Sequence, residues 1–390
     1  MQKKMIALAV AGLASTAAFA QSNVTLYGIA DLGQAWVKSS GAKAAIYDKT
    51  TDTYGPDIKD NQRTVGRLDS NSSYLGFKGV EDLGNGLKAV FQYETAISAD
   101  TNKGFTGMRD SYVGLAGNFG TVVAGRLTHP LREMGIKVDI LPGDAGIGTV
   151  NSVTGQIAGV KTGADDRASN AVAYISPTFG GGFSVTAAWV NGERHGFDDD
   201  GEKANARAWQ IAGKYDNGPL FVGLGYHKTK DNVTNDVDGQ IFFKGLNARV
   251  WRLAAVYTAP FGTKFSALYD NTKVEEYGFG DVKRHAWSVG ASHPFGANTV
   301  GLQYARSGKT KESGEPSWKD SANIWTAYYG YSLSKRTQLH ARYTRLANGK
   351  EGDFNFYNNP VNNGRAASAP EDDRWNAKYT GFMVGLRHSF

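Results

Sequence analysis

The chain has no cysteine. Disulfides and thiolate metal sites are thereby excluded, and the fold is held by non-covalent forces alone. Long apolar runs are also missing. Mean hydropathy is −0.39, and the only sustained apolar stretch, Met5 through Leu13, is too short to span a bilayer comfortably. Runs of positive charge are absent as well. Basic residues are dispersed with no five in succession, so there is no electrostatic footprint for nucleic acid. Catalytic signatures are lacking too. There is no G-x-S-x-G, no H-E-x-x-H and no phosphate-binding G-x-x-x-x-G-K-[ST]. The seven histidines, at 129, 195, 227, 285, 293, 340 and 388, are scattered, mostly near strand ends or turns. Two acidic stretches, 198–202 and 231–238, look superficially like calcium loops. Neither has the full twelve-residue loop with its terminal Glu, so they read as solvated loop acids, with divalent-cation contact to lipopolysaccharide as a weaker reading. No catalytic residue, cofactor or metal site is expected.

What is present is glycine (49, against 10 prolines), aromatics at 12%, and period-two alternation almost everywhere. Lys3 and Lys4, the apolar stretch and the small-x-small triplet Ala18-Phe19-Ala20 read as a secretory signal peptide over 1–20, leaving 21–390 as the mature domain. Removing Lys3 and Lys4 takes the 43 basic residues to 41 against 37 acidic ones, a net charge of +4. An exported chain without an apolar helix enters a membrane only as a closed barrel, where half of each strand faces water. The segment NVTLYGIADLGQAW (23–36) puts Val24, Leu26, Gly28 and Ala30 on one face. Residues 86–96 put Leu87, Ala89, Phe91 and Tyr93 outward against Lys88, Val90, Gln92 and Glu94 inward. The segment 378–390 alternates Phe382, Val384, Leu386, His388 and Phe390 against Met383, Gly385, Arg387 and Ser389. An apolar face ending on Phe390 suits a lipid-facing strand that pairs with the first to close a ring.

The connections alternate in length. Short turns fall at 81–86, 117–120, 177–182, 216–219, 259–263, 294–298 and 333–336. Long polar stretches fall near 38–66, 97–108, 128–166, 190–205, 229–246, 274–283, 307–320 and 347–373. Seven turns and eight loops join about sixteen strands, which predicts an all-β, antiparallel, transmembrane β-barrel. Aromatics at strand ends, such as Trp189, Trp209, Tyr226, Tyr257, Tyr304 and Tyr343, suit the bilayer interfaces.

Several segments, in order along the chain, carry a family resemblance: VTLYG (24–28), YLGFKG (74–79), EDLG (81–84), GLKAVFQYE (86–94), YVGL (112–115), GNFGTVVAGR (117–126), NAVAYISP (170–177) and VGLRHSF (384–390). Together they resemble the general porins of Gram-negative outer membranes, of the β-proteobacterial type that includes neisserial and Burkholderia-like trimeric porins. The resemblance implies a sixteen-stranded homotrimeric barrel in the cell outer membrane, passing ions and small hydrophilic solutes by diffusion. It implies that the third loop, about 128–166, folds inward and narrows the lumen. It also implies that Phe390 is an assembly signal read by the outer-membrane assembly machinery, with lipopolysaccharide as the surrounding lipid. On the flanking strands Arg109, Arg126 and Arg167 match the family's basic wall. Tyr74 stands where many relatives have Arg, and Ala173 where the family is often basic, so only a weak anion preference is expected.

The loop's acids include Glu133, Asp139 and Asp144. These form the candidate acidic side of the constriction, with Asp139 and Asp144 foremost. Strand parity leaves the arginines unsettled. Arg109 inward would carry Ser111, Val113 and Leu115 inward as well unless a bulge resets the register, and Arg126 is ambiguous beside Val122 and Ala124. A solute-specific channel for an organic acid, phosphate or sugar is the alternative function. A barrel serving mainly as an adhesin is more distant.

Overall fold

A computed structural model of the protein describes residues 23–390 except 45–46, 49–52, 55–57, 61–62, 144, 158–159, 193–194, 198–202, 206, 233–245, 278–279 and 362–373. The expected signal segment 1–20, the acidic stretch 198–202, most of 231–238 and the candidate Asp144 lie outside the described residues.

Alternating sequence gives long strands. In chain order they are β1 (Asn23–Ser40), β2 (Val65–Ser70 and Tyr74–Gly84, interrupted at Ser72 with φ +57°), β3 (Leu87–Ser98), β4 (Gly104–Gly117), β5 (Gly120–Thr128), β6 (Arg167–Ile175), β7 (Phe183–Val190) and β8 (Arg207–Asn217). The second half comprises β9 (Leu220–Asn232), β10 (Leu246–Thr258), β11 (Lys264–Tyr277), β12 (Gly280–Phe295), β13 (Asn298–Ser307), β14 (Ala322–Ser332), β15 (Thr337–Asn348) and β16 (Lys378–Ser389). Each pairs antiparallel with its sequence neighbours. β16 returns to β1 from Ile29↔Ser389 to Ser40↔Lys378, so the sixteen strands close into a ring with no free edge. The seven short turns and six of the eight long connections fall where the sequence placed them; the stretches 97–108 and 274–283, expected as long loops, are mostly strand, with β4 starting at Gly104, β11 running to Tyr277 and β12 starting at Gly280.

The seam depends on one glycine. Phe390 N donates to Gly28 O at 3.1 Å and Gly28 N to Phe390 O at 3.2 Å. A Cβ at position 28 would lie 2.5 Å from Phe390 Cζ, so only glycine leaves room for that ring.

The two faces of the wall differ as the alternation requires. On β16, Phe382, Val384 and Leu386 are 40–45% exposed while Met383 between them is buried. The outer face carries aromatic ladders at constant height. Trp209, Tyr226 and Trp251 pack with centroids 5.0 and 4.5 Å apart, and Trp287, Tyr304 and Trp325 at 5.2 and 4.5 Å. Such a belt fits a bilayer interface, where amphipathic rings reside. Buried apolar residues lie on the face opposite the aromatic ladders. Ile147, Val150 and Val153 of the 129–166 segment cluster with Ala35, Ile324, Leu346 and Met383 of the wall.

Candidate pore constriction

The segment after β5 starts a helix by local rules. His129 precedes Pro130 at the first helical position, and helix α1 (Pro130–Val138) has Glu133 in its first turn and Lys137 in its last, matching the helix dipole. Its apolar stripe, Leu131, Met134 and Val138, is buried. Leu131 and Met134 lie over two glycines of β9. A Cβ on Gly225 would meet Leu131 Cδ1 at 2.7 Å, and one on Gly223 would meet Met134 Cε at 3.0 Å. Burying each of these side chains contributes about 1.5–3 kcal/mol.

Along the helix and the chain that follows it, the backbone groups are satisfied by side chains from seven strands, on the face opposite the aromatic belts. Leu131 N donates to Gln210 Oε1 at 3.2 Å and Ile140 N to Gln303 Oε1 at 2.9 Å. Thr326 Oγ1 donates to Gly148 O at 2.7 Å, and Arg342 Nη1 to Ala145 O at 2.5 Å. The strongest anchor is Arg252 on β10, which is fully buried. Its guanidinium forks onto Asp165 (2.5 and 2.7 Å) and Asp270 (2.6 and 2.7 Å) and donates to Leu131 O at 2.8 Å. A charge removed from water persists only when paired this completely.

The lumen left beside this segment is a cavity of about 660 Å³ along the inner faces of β1–β7, with Pro130 and Glu133 of α1 on its other side. Arg109 reaches this side because β4 is bulged. The β3–β4 register shifts between Tyr93 and Thr95, so Arg109 and Asp110 together oppose Glu94. Val113 and Leu115 stay outward. Arg109 Nε lies 3.3 Å from Glu94 Oε2, and its Cζ is 4.6 Å from the Tyr74 ring centroid. Arg167 Nε lies 3.2 Å from Asp110 Oδ1, which also accepts from Thr128 Oγ1 at 2.8 Å. The two guanidiniums are within electrostatic reach of one another. Among the described residues, their terminal Nη nitrogens have no hydrogen-bond acceptor.

Of the six candidate residues from the sequence, Glu133 lines this cavity, and Arg109 and Arg167 adjoin its lining residue Asp110. Glu133 takes a 2.7 Å hydrogen bond from Lys214 Nζ. Arg126 is not among them. It shares a face with Val122 and Ala124, opposite the cavity-lining Thr121, Val123 and Leu127, and donates to Met108 O (2.8 Å) and Ser169 Oγ (3.0 Å). Asp139 was expected to face the opening, but it is buried. Its carboxylate accepts from Leu141 N (2.8 Å) and Val150 N (2.9 Å), pinning the loop's turn, and burial pushes its pKa above the ordinary carboxylate range. His129 is shifted the other way. Burial lowers its pKa while Nδ1 donates to Gly163 O at 2.7 Å. Sequence reading passed over Glu94, Asp110, Arg252 and Asp270. Inward parity of Glu94 was the one available signal.

The sequence profile described as Gram-negative porin matches residues 7–351. The chain belongs to the Gram-negative porin family. This porin is 32% identical to outer membrane porin protein 32 of Delftia acidovorans, with both chains covered in full. It is 33% identical to the major outer membrane protein P.IB of Neisseria meningitidis serogroup B, over 60% of this chain and 62% of the relative. Among solved structures, the anion-selective porin from Comamonas acidovorans superposes with a TM-score of 0.70 at 29% identity, covering 95% of this chain and all of that one. Fold and family together make the protein an outer-membrane porin, a multi-pass β-barrel channel whose relatives are channels rather than enzymes.

Proposed function

We propose that this porin is a general diffusion channel for ions and small hydrophilic solutes, weakly anion-preferring, with the 129–166 segment as an inward third loop that forms the constriction. The observation that carries this reading is the pair Arg109 and Arg167, whose Nη nitrogens have no acceptor among the described residues and which adjoin the cavity-lining Asp110. Their Nε atoms are matched by Glu94 and Asp110, and Glu133 faces the cavity from α1. With Lys214 paired to Glu133, these charges cancel in number, so the preference is weak and its sign rests on the open guanidinium nitrogens; salt screens it beyond about 8 Å at physiological strength. The anion selectivity named for the Comamonas acidovorans structure supports the same sign.

Assembly as a homotrimer, removal of residues 1–20 on export, contact with lipopolysaccharide, and recognition of Phe390 by the outer-membrane assembly machinery complete the proposal, all resting on the family. Reversal potentials of the purified protein in a planar bilayer under a KCl gradient test the selectivity. The sign expected is that of chloride preference, reduced in Arg109→Gln/Arg167→Gln. A clear potassium preference of the native protein overturns it.

A further inference from the structure

The 129–166 segment covers the wrong half of the wall for a purely water-loving passage. Polar side chains are abundant on the inner faces of β8–β15, and the segment seals them: Gln210, His227, Asp270, Gln303, Thr326 and Arg342 are all buried. The half left beside the cavity mixes polar residues such as Gln92 and Thr186 with a contiguous apolar patch. Val90 of β3, Val123 and Leu127 of β5, Ala173 and Ile175 of β6 and Ala188 of β7 line it, all at inner-face positions where a porin strand ordinarily places polar residues. Water against such a wall gains little, and an apolar solute surface displacing that water gains about 25 cal/mol per Å² covered.

Charge decides what else the solute carries. Arg109 and Arg167 adjoin the cavity-lining Asp110, the first as its neighbour in the bulge and the second as its ion-pair partner, with open Nη nitrogens, and a guanidinium fork matches a carboxylate. On the loop side of the Val90–Val123 row the exposed Lys78 lines the same cavity, its Nζ 4.9 Å from the Tyr27 ring centroid. Cationic groups thus border an apolar wall in a space of about 660 Å³, within the range that holds a small organic molecule, and the two carboxylates that also line it are paired, Asp110 with Arg167 and Glu133 with Lys214.

We propose that this porin favours small organic monoanions with an apolar body, aryl or short alkyl carboxylates, over hydroxyl-rich anions of the same size. The inference rests on the anion-preferring reading above and adds the solute class. Weak attraction to the wall raises occupancy of the passage while remaining loose enough for exit, the condition for net flux.

The test measures bi-ionic reversal potentials of the purified protein in a planar bilayer, with sodium chloride facing sodium benzoate or facing sodium threonate. The benzoate permeability should exceed that of threonate by about fourfold or more, the equivalent of one methylene withdrawn from water. In Val90→Thr/Val123→Thr, which keeps β-branched residues in the strands, the ratio should fall toward one. A ratio of one in the native protein, or a high ratio unchanged by the double variant, overturns the proposal. Chloride preference over potassium with a ratio of one defeats this inference alone, whereas potassium preference defeats the underlying reading with it.

Discussion

Replacing Arg252 by Met should release the 129–166 segment while leaving the ring intact. The guanidinium holds Asp165 of the segment to Asp270 of β11 and also caps Leu131 O, all out of water. Without it two buried carboxylates face each other with Gly155 N the remaining donor to Asp270, at 3.2 Å. Removing one partner from a buried charge network costs about 3–5 kcal/mol. At about 1.4 kcal/mol per decade, that shifts the docked-to-released equilibrium more than a hundredfold. The backbone pairing of β10 with β9 and β11 does not involve the side chain, so the barrel should still form. Single-channel conductance and liposome swelling should therefore show a wider, noisier pore that admits larger sugars. The triple variant Asp165→Asn/Arg252→Met/Asp270→Asn removes the unpaired charges and should recover part of the native conductance. If Arg252→Met inserts normally with native conductance and native size cut-off, the claim that this network holds the segment is refuted.

Two further outcomes are expected. Phe390→Ser empties the space that Gly28 leaves for the ring, so outer-membrane yield should fall severalfold while molecules that do insert keep near-native conductance; an unchanged yield counts against the seam and the assembly role. Acidification should loosen docking through His129: burial holds its docked-state pKa below the ordinary value near 6.5, so its contribution is full above that pH, declines as pH falls below it, and levels off below the depressed value. Asp139, with its pKa raised by burial, acts in the opposite sense, so His129→Gln should flatten the conductance rise between pH 7.5 and 5; a rise identical to the native one excludes His129 as its source.

The barrel was readable because strands advertise themselves. Period-two alternation and the sorting of short turns from long loops are local signals, and they place all sixteen strands. The arginines were harder. Nothing in the sequence marks the β3–β4 bulge opposite Glu94, yet that single extra residue turns Arg109 inward while Val113 and Leu115 stay outward. Arg126 follows plain parity and so ends on the other face. The docking of 129–166 was least readable. Its partners Gln210, Arg252, Gln303, Thr326 and Arg342 are spread over more than a hundred residues and converge only when the ring closes. An acid in a Gly- and Pro-rich loop reads as solvated, which is why the burial of Asp139 against Leu141 N and Val150 N had no local signature.

Helix α1 divides its labour by face. Leu131, Met134 and Val138 are committed to the wall, whereas Glu133 and Lys137, one turn apart, are exposed: Glu133 pairs with Lys214, and Lys137 pairs with Asp216 and lies 5.2 Å from the Phe221 ring centroid. Substitution of Glu133, the charged residue of the helix that lines the cavity, leaves the Leu131, Met134 and Val138 contacts untouched. The helix's share of the ion preference can therefore be retuned, by selection or by design, independently of barrel stability, because the carboxylate that faces the cavity and the side chains that hold the helix in place are different residues of the same two turns.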